Sequence, residues 1–201
     1  YLAHGEYDNA RKALLEAIDI HRKFFRKETV NLATYIDNYA YTLMEEKEFH
    51  EALPYMQEVL EIRKKLLGEN HVHIATSHSN LGKVYLGLGK FSEAEKHFRN
   101  SNEIVRKSRG TFSNSYANSL IELALATRQQ KKNSLTDSLM IEANSIYNHF
   151  VRICEKFMSE KEKYYFMNSF FSIYSDIFYT YFLQRYHENP SFSDHFYNKL
   201  I

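Results

Sequence analysis

Lys47-Glu48-Phe49-His50-Glu51-Ala52 decides the fold, because closely similar phrases stand 42 residues earlier and 42 residues later. The earlier one is Gly5-Glu6-Tyr7-Asp8-Asn9-Ala10 and the later one contains Lys90-Phe91-Ser92-Glu93-Ala94. The same step of 42 carries Ala10 to Ala52 to Ala94, and Leu14 to Met56 to Phe98. Working outward, it links Ala33-Thr34 with Ala75-Thr76 and Ala117-Asn118. It also links Ala40 with Gly82 and Ala124, and sets Asn38 over Asn80. Matches held in one register mean a repeated structural unit that buries its apolar face only by stacking on its neighbours.

The recurring residue types have a packing reason. Small residues at Ala40, Gly82 and Ala124 let one helix approach the next, and Ala10, Ala52 and Ala94 do so on the partner helix. Large residues at Phe49, Met56, Tyr85, Phe91 and Phe98 fill the space between hairpins. A bulky side chain at Ala52 or Ala94 would overpack that contact at a cost of about 1–3 kcal/mol. Helical periodicity predicts helices over 6–26, 29–45, 48–67, 72–88, 91–108, 113–130 and 134–158. Gly68 and Gly110 fall just past two of them, where a left-handed terminal residue is wanted. Pro54 lies near a helix start, so a mild kink is expected rather than a break. Short connections make consecutive helices antiparallel. The fold class is therefore all-α, a right-handed superhelical solenoid of antiparallel helix hairpins.

Two regions are expected. Residues 1–158 form the solenoid, one partial hairpin plus three repeats, and 159–201 form an aromatic helical segment. Tyr1 falls late in a first helix by register, so that hairpin is incomplete and the start is expected to be cut from something longer. The last repeat departs from the pattern, since Asn133 stands at the aromatic position, and its second helix is expected to be displaced by a few residues.

Composition narrows the function. Lys plus Arg number 26 against 25 Asp plus Glu, so no general attraction draws the chain to nucleic acid or an anionic membrane. The single cysteine, Cys154, excludes an internal disulfide framework and fits a reducing, cytoplasmic setting. His71 and His73 form a His-x-His pair, but they sit at a turn with no third ligand nearby in sequence, so no metal or cofactor is expected. His149 and Cys154, five residues apart on one helix, diverge around its axis and make no dyad. No catalytic constellation is expected in this chain.

The phrase Gly68-Glu69-Asn70-His71, followed by Ile74-Ala75-Thr76 and Asn80-Leu81-Gly82, resembles the long tetratricopeptide repeats of kinesin light chains and many bacterial regulators. Tyr85, Phe91, Ala94 and Phe98 continue the likeness, which covers residues 5–130 well and 131–158 loosely. It implies a scaffold that holds protein segments. First helices of successive hairpins would line a concave groove, with Thr34, Asp37, Asn38, Tyr41 and Glu45 from one and Thr76, Ser79, Asn80 and Lys83 from the next. In peptide-binding relatives an asparagine at this position clamps the backbone of an extended peptide, and the resemblance carries that role to Asn38 and Asn80. An asparagine amide offers both donor and acceptor. Glu122 breaks the series.

The tail resembles the segment joining such arrays to CHAT domains, the caspase-like cysteine proteases of bacteria. The likeness runs from Phe157-Met158-Ser159-Glu160-Lys161-Glu162-Lys163 to Gln184-Arg185-Tyr186. It implies a regulatory region whose protease domain would follow residue 201. The alternative is a stand-alone adaptor. Residues 161–201 hold 14 aromatic residues drawn from the chain's 16 tyrosines and 15 phenylalanines, and apolar positions wrap most of the stretch 161–186. A helix apolar all round is buried on several sides. Phe166, Phe170, Tyr174, Phe178 and Tyr181 are thus expected to pack between domains. A membrane span over 164–183 is disfavoured by Asn168, Ser169, Ser172, Ser175 and Asp176.

Overall fold

A computed structural model describes residues 4–157, 159, 161, 180–185, 187 and 188. It contains α1 (His4–Phe25), α2 (Val30–Glu45), α3 (Phe49–Leu67), α4 (Val72–Gly87), α5 (Phe91–Arg109), α6 (Asn114–Gln129) and α7 (Asn133–Phe157). Among the described residues there is no strand. Each helix packs chiefly on its chain neighbours, and α4 also touches α6. The result is an open stack of hairpins. First helices α2, α4 and α6 are each 16 residues long and begin at residues 30, 72 and 114. α7 begins at Asn133, 42 residues after Phe91 opens α5, so the displacement expected for the last hairpin does not occur. The start of a second helix is set by the turn before it, not by an aromatic at its first position.

The repeat extends to the backbone. Thr29, His71 and Ser113, spaced by 42, cap the three first helices. Thr29 Oγ1 accepts from the Leu32 N–H at 3.1 Å, and Ser113 Oγ from Tyr116 N–H at 3.3 Å. These bonds satisfy donors that a helix start leaves unpaired. Each first helix then ends the same way. The N–H groups of Glu48, Lys90 and Lys132 donate to the carbonyls of Leu43, Tyr85 and Thr127. The intervening Lys47, Gly89 and Lys131 have φ of 64°, 71° and 58°. This closure needs a left-handed residue, which side chains other than glycine resist. Lys47→Gly and Lys131→Gly, copying Gly89, are therefore expected to raise stability by about 0.5–1 kcal/mol each, read as a shift of the urea midpoint.

The turns between hairpins recur too, with φ of 51° at Arg26, 78° at Gly68 and 76° at Gly110. Gly68 and Gly110 combine that φ with ψ of 158° and 172°, a region open essentially to glycine alone. The expected terminal glycines are in place, but in this extended mirror conformation rather than the left-handed helical one. α3 passes Pro54 unbroken.

Packing inside a hairpin follows the small-to-large pairing. A Cβ on Gly82 would lie 2.5 Å from the ring of Phe98, which is fully buried. The equivalent pairs are Ala40 with Met56 and Ala124 with Met140, all buried. Where the large residue grows from Met to Phe, the small one shrinks from Ala to Gly. Ala52 and Ala94 are wholly buried, as their spacing required. On α1 the pattern is left uncovered: Ile20 is 48% exposed, whereas its counterparts Ile62 and Ile104 are buried. Among the described residues no first helix lies against that face.

Candidate functional site: the wall of first helices

Successive first helices are joined side by side by polar bonds. Asp37 of α2 accepts from the Asn80 amide of α4 at 3.0 Å. One step on, Ser79 of α4 donates to the Glu122 carboxylate of α6 at 2.7 Å, and Lys83 pairs with Glu122 at 2.9 Å. The Asp37–Asn80 and Ser79–Glu122 links both span 43 residues, so each joins a position on one helix to the next-numbered position of the following helix. They fix α2, α4 and α6 as one wall. Behind it, the buried Arg63 guanidinium of α3 donates to Asp37 at 2.7 Å and to Ser77 at 2.8 Å. Ser77 in turn donates to the His73 carbonyl at 3.0 Å.

The groove residues read from the sequence divide accordingly. Asp37, Ser79, Asn80, Lys83 and Glu122 are bonded to one another across the wall. Thr34, Asn38, Tyr41, Glu45 and Thr76 stand exposed on it. Thr34 and Thr76 turn their hydroxyls back to the carbonyls of Val30 and Val72. A bond to Glu45, with burial second, raises the Tyr41 hydroxyl above its ordinary pKa. Asn38 and Asn80, equivalent in sequence, differ in setting. Asn80 is buried with its amide on Asp37, whereas Asn38 is exposed and keeps its whole amide available.

A second series of locks lies at the other edge. Position 11 and its equivalents at 53, 95 and 137 each bear on the hairpin or segment stacked next. Arg11 pairs with Glu46 at 3.0 Å and Glu48 at 2.9 Å. At the next step Leu53 and Leu88 are apolar. Buried Glu95 then accepts from Gln130 at 2.7 Å and Lys132 at 2.6 Å, the counterparts of Glu46 and Glu48 with donors in place of acceptors. Burial alone would raise the Glu95 carboxyl, but bonds from Lys132, Arg99 and Gln130 outweigh it and hold the pKa below the ordinary carboxylate value. Asp137 of α7 is bonded by Arg185 at 2.7 Å and by the Tyr181 hydroxyl. Tyr181 is buried, with its hydroxyl pKa raised by burial and by Asp137. The end of the aromatic stretch therefore docks on α7 at the place where an earlier second helix receives the next hairpin. Phe166, Phe170, Tyr174 and Phe178 lie outside the described residues, as does the side chain of Cys154.

Histidines serve structure. His71 caps α4, its Nδ1 accepting from the His73 N–H at 3.2 Å. His78 and His97 face each other across α4 and α5 with their Nδ1 atoms 3.0 Å apart, one donating and the other accepting, and Tyr85 stacks on His97. Burial, then His97 and Lys64, push His78 down to about 4. Burial, then Lys96 and Lys64, lower His97 as well. The unfolded chain takes up these protons from about pH 6.5, whereas the folded one keeps His78 neutral down to about 4 and also resists protonation of His97. The pair's contribution is thus complete above pH 6.5 and is lost as pH falls toward 4. Urea midpoints measured from pH 7 to 4 should fall across that window, and less steeply in His78→Phe. Among the described residues no three His, Cys, Asp or Glu side chains gather as metal ligands, and no helix is long and apolar enough to cross a membrane.

Sequence reasoning missed Arg63, Ser77, Glu95 and the Asp137–Arg185 pair. A signal was present for the first: Arg63 stands where the repeat has Val105 and Tyr147, and Asp37 where it later has Ile121. Opposite charges at two positions that carry His21, Val105 and Tyr147, and Ser79 and Ile121, in the other hairpins mark a pair.

An open array of hairpins with a polar wall on one side defines a helical-repeat scaffold. The tetratricopeptide repeat profile matches residues 30–101 and 74–134 in overlapping stretches, and the chain belongs to that family. Such repeats form protein–protein interaction scaffolds. Among solved structures, the kinesin light chain nearly identical TPR-like repeats of Podosopora anserina share 22% identity at a TM-score of 0.64, over 77% of this chain and 70% of that one. BtubC (BKLC) from P. vanneervenii shares 20% at 0.65, over 71% and 56%. The apo form of RapI shares 20% at 0.63, over 97% and 58%. These likenesses concern the fold. No curated protein matches the chain.

Proposed function

We propose that the wall of α2, α4 and α6 receives an extended segment of a partner protein, with Asn38, Tyr41 and Glu45 meeting it. The carrying observation is the division of labour on the wall. Asp37, Ser79, Asn80, Lys83 and Glu122 hold its helices together, while Thr34, Asn38, Tyr41, Glu45 and Thr76 remain presented. Asn38 takes the clamp role, and Asn80 shapes the surface by fixing Asp37. In the protein's own cell, a photo-crosslinking side chain at Tyr41 should capture the partner, and one at Lys107 on α5 should not. Asn38→Ala should then weaken that partner by about 1–3 kcal/mol. Equal capture from both positions, or unchanged affinity in Asn38→Ala, overturns the reading.

The finer proposal is that this scaffold regulates a CHAT-type caspase-like protease lying after residue 201 in a cytoplasmic bacterial protein. Its support is the resemblance of the tail, joined to the docking of Tyr181 and Arg185 on Asp137, which ties those two residues to the solenoid. Deleting residues 1–110 from the longer protein should change peptidase activity and abolish its response to the partner. Unchanged activity and response would leave the adaptor reading.

A further inference from the structure

A cleft of about 350 Å³ lies between α5 and the turn from α6 to α7, and none of its residues belongs to the wall of first helices. Lys96 and Arg99 border it on α5, and Lys132 borders it on the turn. Buried Glu95 is the one carboxylate among its lining residues. Three cations therefore meet one anion in a concavity of the size that holds small groups. A concave surface with an excess of one sign of charge attracts the opposite sign.

The lock between hairpins does not account for this excess. At the equivalent edge, Arg11 is balanced by Glu46 and Glu48, so the lock there carries no surplus of positive charge. Around Glu95, Gln130 and Lys132 already supply the corresponding pair of contacts. Arg99 adds Nε and Nη2, both on Glu95 Oε1, and its half-exposed guanidinium retains Nη1. Lys132 is 45% exposed, with one contact to Glu95. Lys96 is exposed and, among the described residues, makes no side-chain hydrogen bond or ion pair, and the same holds for Ser92 and the Asn100 amide on the cleft wall. The position of Arg99 carries Leu15 and Gln57 in the preceding second helices, so the cationic cleft belongs to this hairpin. Glu95 shows that Arg99 and Lys132 can converge on a carboxylate.

We infer that the cleft is a second contact point, taking an anionic side chain of a protein partner between Lys96, Arg99 and Lys132. The shared chemistry is an oxyanion, supplied by Glu or Asp or by a phosphorylated Ser. The recognition is charge-assisted and independent of the groove.

The test uses the full chain and three labelled peptides of one sequence frame, bearing Glu, phosphoserine or Gln at the same positions, followed by fluorescence anisotropy at low salt. The Glu or phosphoserine peptide should bind and the Gln peptide should not. Lys96→Glu should weaken binding about tenfold or more, as expected for reversing a contacting charge, with an unchanged melting temperature. Lys12→Glu, an equal change of net charge on α1, and Asn38→Ala, in the groove, should leave it unaltered. Binding of the phosphoserine peptide alone assigns the oxyanion to phosphate; binding of both assigns it to acidic side chains generally. Failure of both peptides to bind, or equal loss in Lys12→Glu and Lys96→Glu, overturns the inference without touching the groove reading.

Discussion

Asp37→Ala is expected to lower stability by about 3–5 kcal/mol, because it strands the buried Arg63 guanidinium without a counter-charge. Arg63 is 5% exposed, and its other partner is the neutral Ser77 hydroxyl. The same substitution takes the acceptor from the Asn80 amide, which is itself buried, so the seam between α2 and α4 is cut as well. For a chain of this length the loss corresponds to a fall in melting temperature of roughly 10 °C, measurable by far-ultraviolet circular dichroism. The cause is separable from a general sensitivity of the site. Asp37→Ile combined with Arg63→Met removes both charges and should recover most of that loss, leaving about 1–3 kcal/mol for the Asn80 amide that still lacks its acceptor. If the double variant is as unstable as the single one, the guanidinium is not what makes Asp37 necessary.

Phe98→Ala is expected to cost about 3–5 kcal/mol through a cavity in the middle of the second hairpin. The informative comparison is with Gly82. In the parent chain Gly82→Ala should destabilise by about 1–3 kcal/mol, since the new methyl would sit 2.5 Å from the Phe98 ring, which has no exposed side to move into. In the Phe98→Ala background the same substitution should stabilise, because the methyl enters emptied space and alanine favours the helix over glycine by about 1 kcal/mol. Gly82→Ala with Phe98→Met reproduces Ala40 with Met56 and should lie close to the parent. Additive effects across this cycle would show that residues 82 and 98 do not share one volume.

The two predictions differ in how far the sequence foretold them. Gly82 and Phe98 were visible, because small and large residues recur at the 42-residue step and a repeat transmits its packing rule to every copy. Helix ends were visible for the same reason, through Gly68 and Gly110. The Asp37–Arg63 pair was not read, since it occurs in one hairpin only and a repeat reports what is shared. The groove asparagines show the limit in another way. Asn38 and Asn80 occupy one register position, yet Asn80 is consumed by Asp37 of the preceding helix, and that neighbour lies 43 residues away.

By itself the sequence determined the hairpin, its length, its turns and the order of stacking, because each depends on residue types within one repeat. Tertiary structure alone decided which polar side chains face the groove and which bolt its helices together. It also decided that Lys132 and Gln130 of the following turn reach Glu95, and that Arg185 reaches Asp137. Those outcomes depend on bonds between different hairpins, where directional contacts of a few ångströms join residues that no local pattern couples.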